Sequence, residues 1–324
     1  MKLKKIGLII LLIIIVIGVV TLAVTASNKN KNIDTGKKKV VVSNFTCYDF
    51  IKQITKDTDD VELTFLLGPG KDAHSYDPTA QDLIKIQNAD LFVYIGGEIE
   101  AWSEKVLEAL NNKNQKVICI ADDVQKIEEK EVDGAEEHEE HEEEEEGAFD
   151  EHIWTSPANA ISMVNSLEKA MEEINPQNKD IYKTNSENYI AKIKEVDNKI
   201  QEIVNNKKRS RLVFGDKMPM QYFVEYYKLD VSAAFNGCST ESEPSSKTVA
   251  YLVNKVKNEK IPVVLYTELS TGIVANTIAK EAGNGVKAMQ IQSLHNVTKT
   301  DFDNGQTWVD LMERNIDVLK TALQ

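Results

Sequence analysis

Short apolar runs rich in valine and isoleucine alternate along most of the chain with longer segments whose apolar residues recur every three or four positions. The first kind suits β-strands and the second helices, and their alternation favours parallel sheets with crossover helices. Val40–Asn44, Val61–Leu66, Asp90–Tyr94 and Lys116–Ile120 read as strands. Between them, Phe50, Ile51 and Ile54, then Leu83, Ile84 and Ile86, then Trp102, Val106, Leu107 and Leu110 carry helical stripes. A further helix is predicted over Pro157–Ile174, with Ser156 as its N-cap and Pro157 at its first position. The longest stripe joins Tyr189, Ile193, Val196, Ile200 and Ile203. It buries one face of a single helix over about Asn178–Asn206, and a helix of about 28 residues is roughly 40 Å long. Strands resume at Leu212–Phe214, Val231–Ala234, Val263–Tyr266 and Val286–Ile291, with helices near Met218–Tyr227, Ser245–Asn258, Gly272–Ala282 and Gln306–Leu323. The expected fold is α/β: two lobes of similar pattern, residues 40–174 and 209–324, with a rigid connecting helix in 175–208.

Length agrees with that division, because 324 residues exceed one ordinary core and fit two domains of about 130 residues each. The N-terminus is of a different kind. Lys2, Lys4 and Lys5 precede an apolar run from Ile6 towards Ala26, which reads as an export signal with small residues at Val24-Thr25-Ala26. The run is also long enough to remain in a bilayer, so a cleaved signal and a retained anchor over residues 6–26 both stand. No cysteine follows it, which disfavours a lipid anchor. Residues 27–39 are expected as a flexible tether on the outer face of the membrane. Cys119 reads as a buried hydrophobe, while Cys47 and Cys238 could pair.

Charge is concentrated in one place. Glu128–Glu151 holds 15 acidic residues and one lysine, a balance of −14 that equals the balance of the whole chain. No basic stripe is left to neutralise phosphates, so nucleic acid is excluded as a partner. A purely acidic block is ordinarily a solvated loop, but His138 and His141 are interleaved here, and imidazole with carboxylate is a ligand set for borderline metals.

In open parallel sheets ligands bind beyond the carboxyl ends of the strands. Three histidines fall in such loops: His74 in G-P-G-K-D-A-H-S-Y-D-P, His152 in D-E-H-I-W-T-S-P, and His295 in Q-S-L-H-N-V. Three neutral imidazoles and one further oxygen ligand make a four-coordinate zinc site. Asp72, Asp77, Asp150 and Glu151 could accept the second ring N–H and fix each tautomer. Imidazole nitrogen favours Zn2+ over Mn2+, which draws more carboxylate, and manganese stays possible.

These two N-terminal motifs, G-P-G-K-D-A-H-S-Y-D-P-T and the acidic loop ending in D-E-H-I-W-T-S-P, together with Y-T-E-L-S, resemble the zinc- and manganese-binding (cluster A-I) family of ABC-transporter solute-binding proteins. The resemblance runs from about Val40 to the C-terminus. It implies two (βα)4 lobes joined by a long helix, a metal ion in the interlobe cleft, and delivery to the membrane permease of an ABC importer. His74 and His152 match the family's N-lobe ligands. The C-lobe departs from the pattern: Phe214-Gly215-Asp216 puts a glycine where many members have a histidine or glutamate ligand, and His295 stands near the expected acidic ligand. His295 is therefore the C-lobe choice, with Asp216, Glu268 or water as the fourth donor, while Glu241 and Glu243 are expected to serve a helix entry. The implied protein is an exported monomer that captures metal and is no enzyme; H-E-x-x-H and a nucleophile elbow are both absent. A surface adhesin, a metal store and, last, a zinc-dependent hydrolase are the alternatives.

Overall fold

A computed structural model describes residues 36–136, 149–237 and 243–324. The expected signal or anchor, most of the tether, His138, His141, Cys238 and Glu241 lie outside the described residues. Lys38–Gln324 forms one compact unit. Among the described residues no helix is long and apolar enough to cross a membrane.

The fold is α/β, with two parallel four-stranded sheets. The first contains β1 (Lys38–Val42), β2 (Val61–Phe65), β3 (Leu91–Tyr94) and β4 (Lys116–Cys119) in the order β2-β1-β3-β4. The second contains β5 (Arg211–Lys217), β6 (Asp230–Phe235), β7 (Val263–Tyr266) and β8 (Lys287–Gln290) in the order β6-β5-β7-β8. The two sheets therefore share one topology, although their sequences do not visibly repeat. Strand β1 starts inside the expected tether, because backbone pairing of Lys38 with Val61 and Lys39 with Glu62 needs no apolar side chain. It stops at Val42 because Asn44 caps helix α1 (Phe45–Ile54), its side chain accepting from Cys47 N.

Helices α2 (Ala80–Gln87) and α3 (Trp102–Ala109) complete the first sheet's layers, and Thr79 and Asp82 form a capping box on α2. Helix α4 spans Pro157–Ile174 with Pro157 in its first turn; Ser156 sits at the N-cap but makes no side-chain cap bond. Helix α5 (Lys179–Asn205) is the long helix, and Tyr189, Ile193, Val196, Ile200 and Ile203 are all buried along it. It packs against α1 and α4 and, from the C-terminal part, against α10 (Trp308–Leu323). Between them come α6 (Gln221–Tyr227), α7 (Ser246–Asn258), α8 (Ile273–Ala282) and the short α9 (Lys299–Asp303). Helix α9, capped by Thr298, has too few residues to show a periodic stripe in the sequence.

Cys47 is a free thiol buried at 0% exposure in the core. Cys119 is also free and half-buried, and its Sγ donates to Ile95 O.

Candidate metal centre

His74 sits in a single 3-10 turn, Ala73–Ser75, whose N-cap Asp72 accepts from the His74 backbone N–H at 3.0 Å. His152 lies just before the turn that leads into α4 and is fully buried. Asp150, itself buried, accepts from the His152 backbone N–H at 2.7 Å and faces ring Nδ1 at 3.1 Å. His295 follows β8 in a loop held by Glu268 and Asn315: the Glu268 carboxylate accepts from Ser293 N at 2.8 Å and Ser293 Oγ at 3.0 Å, and Asn315 Oδ1 accepts from Gln292 N. Leu294, just before it, has φ of 58°, a left-handed conformation the loop needs in order to turn the imidazole.

The three imidazoles converge. One ring nitrogen from each of His74, His152 and His295 lies within 4.8 Å of the others. His74 stacks on His295 with centroids 5.1 Å apart, and His152 Nε2 faces His295 Nδ1 at 3.2 Å. Two nitrogens bound tetrahedrally at about 2.0–2.1 Å from one zinc ion lie about 3.3 Å apart, so this spacing fits a shared cation. The outer nitrogens support the same conclusion. Asp150 faces Nδ1 of His152, and Asp72 Oδ1 stands 3.4 Å from Nε2 of His295. Carboxylates on the outer side draw the ring protons outward and turn two lone pairs inward, an arrangement that a cation relieves.

Two of the three imidazoles are held uncharged. Burial, then repulsion from His295 and His152, lowers the His74 pKa to about 3. Burial also pulls His295 down. At His152 burial acts in the same direction, but Asp150, with Glu151 and Glu129, more than offsets it and raises the pKa. Asp72 is held well below the usual carboxylate range, chiefly by His295. His74 and His295 are thus neutral at neutral pH, the form in which imidazole binds a metal.

The oxygen candidates do not join this group. Glu268 is turned to Ser293, and Asp216 Oδ2 accepts from Thr267 N and Thr267 Oγ1. Gly215 is closed to any side chain, since a Cβ there would lie 2.5 Å from the Ala275 backbone where α8 crosses β5. Of the four expected outer partners, Asp150 faces its own histidine, but Asp72 reaches across to His295 rather than to the His74 ring. Glu151 instead accepts from Glu98 N and Ile99 N, and Asp77 stands exposed. Sequence reasoning missed Trp154, whose Nε1 donates to Ser293 O at 3.0 Å and ties the His152 segment to the His295 loop. Its only signal was its place in the D-E-H-I-W motif.

Asp150→Asn should weaken zinc binding by roughly 10–100-fold, the usual effect of losing an outer-shell partner. A chelator competition checks this, and unchanged affinity would show that Asp150 does not support metal binding.

Residues 40–322 match the family described as ZnuA, zinc-uptake complex component A, periplasmic. The chain is 32% identical over 319 residues to the zinc-binding lipoprotein AdcA of Streptococcus pneumoniae strain R6, covering 98% of this chain and 61% of AdcA. It is 32% identical over 302 residues to the high-affinity zinc uptake system protein ZnuA of Bacillus subtilis, covering 92% of each. In structure it is similar to the Zn(II)-bound ZnuA-like domain of Streptococcus pneumoniae AdcA, with a TM-score of 0.72 and 31% identity over 89% of this chain and 99% of that one. The metal-dependent lipoprotein YcdH of Bacillus subtilis gives a TM-score of 0.74 and 28% identity over 89% of this chain and all of the other, at 100%.

Proposed function

We infer what this protein does from the family it belongs to, that of ZnuA, component A of zinc-uptake complexes, and from the three histidines its fold brings together. The chain spans 61% of the length of Streptococcus pneumoniae AdcA, so that protein's whole activity is not simply transferred. In this reading the protein captures zinc outside the cytoplasm and hands it to the permease of an ABC importer. The family is one of metal-binding transport proteins, and the role is binding rather than catalysis. His74, His152 and His295 are the protein ligands, with water as the fourth; Asp216 and Glu268 hold loops instead. The observation that carries the assignment is the 3.2 Å approach of His152 Nε2 to His295 Nδ1 with carboxylates behind both rings. An all-imidazole donor set supports zinc as cargo ahead of manganese.

Residues 40–174 and 209–324 act as the two lobes and 175–208 as the connector. A single chain supplies all three histidines, which supports a monomer. The N-terminal apolar run directs export and either is cleaved or holds the protein at the outer face of the membrane. The acidic run Glu136–Glu146, with His138 and His141, serves as a weak accessory collector. Elemental analysis and chelator competition on the full-length chain and on a deletion of Glu136–Glu146, with His152 kept, test this division. Both should hold one tightly bound zinc. If the deletion lost it, the tight site would lie in the acidic run and the histidine assignment would fall.

A further inference from the structure

We propose that Asn296 is a positioning residue for the metal site, lacing the turn that carries His74 to the segment that carries His295 before any metal arrives. The proposal rests on the reading of the three histidines as ligands. Asn296 is fully buried. Its Nδ2 donates to Gly68 O at 2.9 Å and to Lys71 O at 2.6 Å, and between those carbonyls Gly70 N donates to Val297 O at 2.8 Å. Its Oδ1 accepts from Val297 N at 2.7 Å, so both ends of the side-chain amide are engaged.

The two sides of this lacing differ in how they are held. The His295 side is fixed independently, by Glu268 on Ser293 and by Asn315 on Gln292. The His74 side is a glycine-containing loop and one 3-10 turn, and Lys71, the residue that Asn296 grips, immediately precedes Asp72. Asp72 in turn caps His74 and faces His295 Nε2. Asn296 therefore sets where the least supported histidine stands relative to the best supported one. A neutral amide suits this place because it offers two N–H donors to two carbonyl oxygens, whereas an aspartate there would set a carboxylate against them. Trp154 Nε1 on Ser293 O does the corresponding work for His152. With all three segments laced, little ordering is left for zinc binding to drive, and release requires the His74 turn to part from Asn296.

The test measures zinc dissociation by chelator capture, and the visible spectrum of the Co2+ form, in the full-length parent, Asn296→Ala and His74→Ala. Dissociation from Asn296→Ala should be roughly 10–100-fold faster, the range for outer-shell losses, with association little changed and the Co2+ spectrum shifted towards that of His74→Ala. A merely structural residue would lower the melting temperature and leave the spectrum alone. Parent-like release and spectrum in Asn296→Ala, with zinc weakened in His74→Ala, would overturn the positioning role while leaving the histidine site standing. Parent-like zinc binding in His74→Ala would sink both. Should Asn296→Ala fail to fold, hydrogen exchange in the metal-free parent decides: the Gly70 amide should be protected without zinc, and free exchange there refutes the lacing.

Discussion

Replacing His152 with alanine should abolish tight one-to-one zinc binding and produce the largest loss of affinity among single changes in this protein. Of the three proposed ligands His152 has the least freedom: its ring is fully buried, its backbone N–H and Nδ1 are both held by Asp150, and its Nε2 already points at His295. Alanine removes the donor and leaves Asp150 as a buried carboxylate without its imidazole partner, a costly arrangement in its own right. Loss of an outer-shell partner typically costs 10–100-fold, and removal of a direct ligand should exceed that. Chelator competition on the full-length chain, with His295→Ala beside it, measures the loss. Full stoichiometric zinc in His152→Ala would remove the residue from the site, and the same result in His295→Ala would remove His295. The pKa directions set a control: His152 is the imidazole whose pKa is raised, so its proton competes with metal first as pH falls. His152→Ala should therefore flatten the acid side of the zinc-binding profile as well as lower it.

What could be read from the sequence follows from how local each cause is. Helix α4 was legible because proline fixes its first turn and a buried stripe runs from Ala160 to Met171. The stripe of α5 was legible because its buried positions recur with the helical period. Helix α9 was not, being a single short turn set by the Thr298 cap. The histidines stood out by their place after strands, but their mutual geometry depends on contacts between residues far apart in the chain. Asp72 illustrates this: two residues from His74, it reads as the partner of that ring, yet it caps the turn and faces His295. Gly215 is the reverse case. The sequence marks an unfilled position, and only the crossing of α8 over β5 explains why no side chain can fill it.

Asp49→Ala should cost about 2–6 kcal/mol of folding stability, at about 1–3 kcal/mol for each of two buried donors left without an acceptor. Asp49 lies on α1 and is 3% exposed. Its Oδ2 accepts from Tyr189 OH on α5 at 2.5 Å and from the backbone N of Trp308, the first residue of α10, at 2.8 Å. One carboxyl therefore joins three helices from distant parts of the chain. The connection continues towards the metal centre, since Trp308 Nε1 donates to Trp154 O and Trp154 Nε1 to Ser293 O. A loss of this size is a large share of the roughly 5–15 kcal/mol that holds a typical domain folded. Asp49→Asn separates the hydrogen bonds from the charge. Burial pushes the Asp49 pKa up from 3.8 to about 6, against the bonds from Tyr189 and Trp308 that pull it down. A carboxyl raised in the folded state contributes its full stability below the ordinary value, near 3.8, and loses it as pH climbs through about 6. That span is worth about 3 kcal/mol at about 1.4 kcal/mol per pH unit. Asparagine cannot ionise, so the parent's stability relative to Asp49→Asn should fall by about that amount between pH 4 and pH 7.5. Urea unfolding of both proteins in the presence of a metal chelator measures it. Parallel pH curves for parent and Asp49→Asn would show that Asp49 is not the buried titrating group, while a drop in the parent alone would locate that group at the junction of α1, α5 and α10.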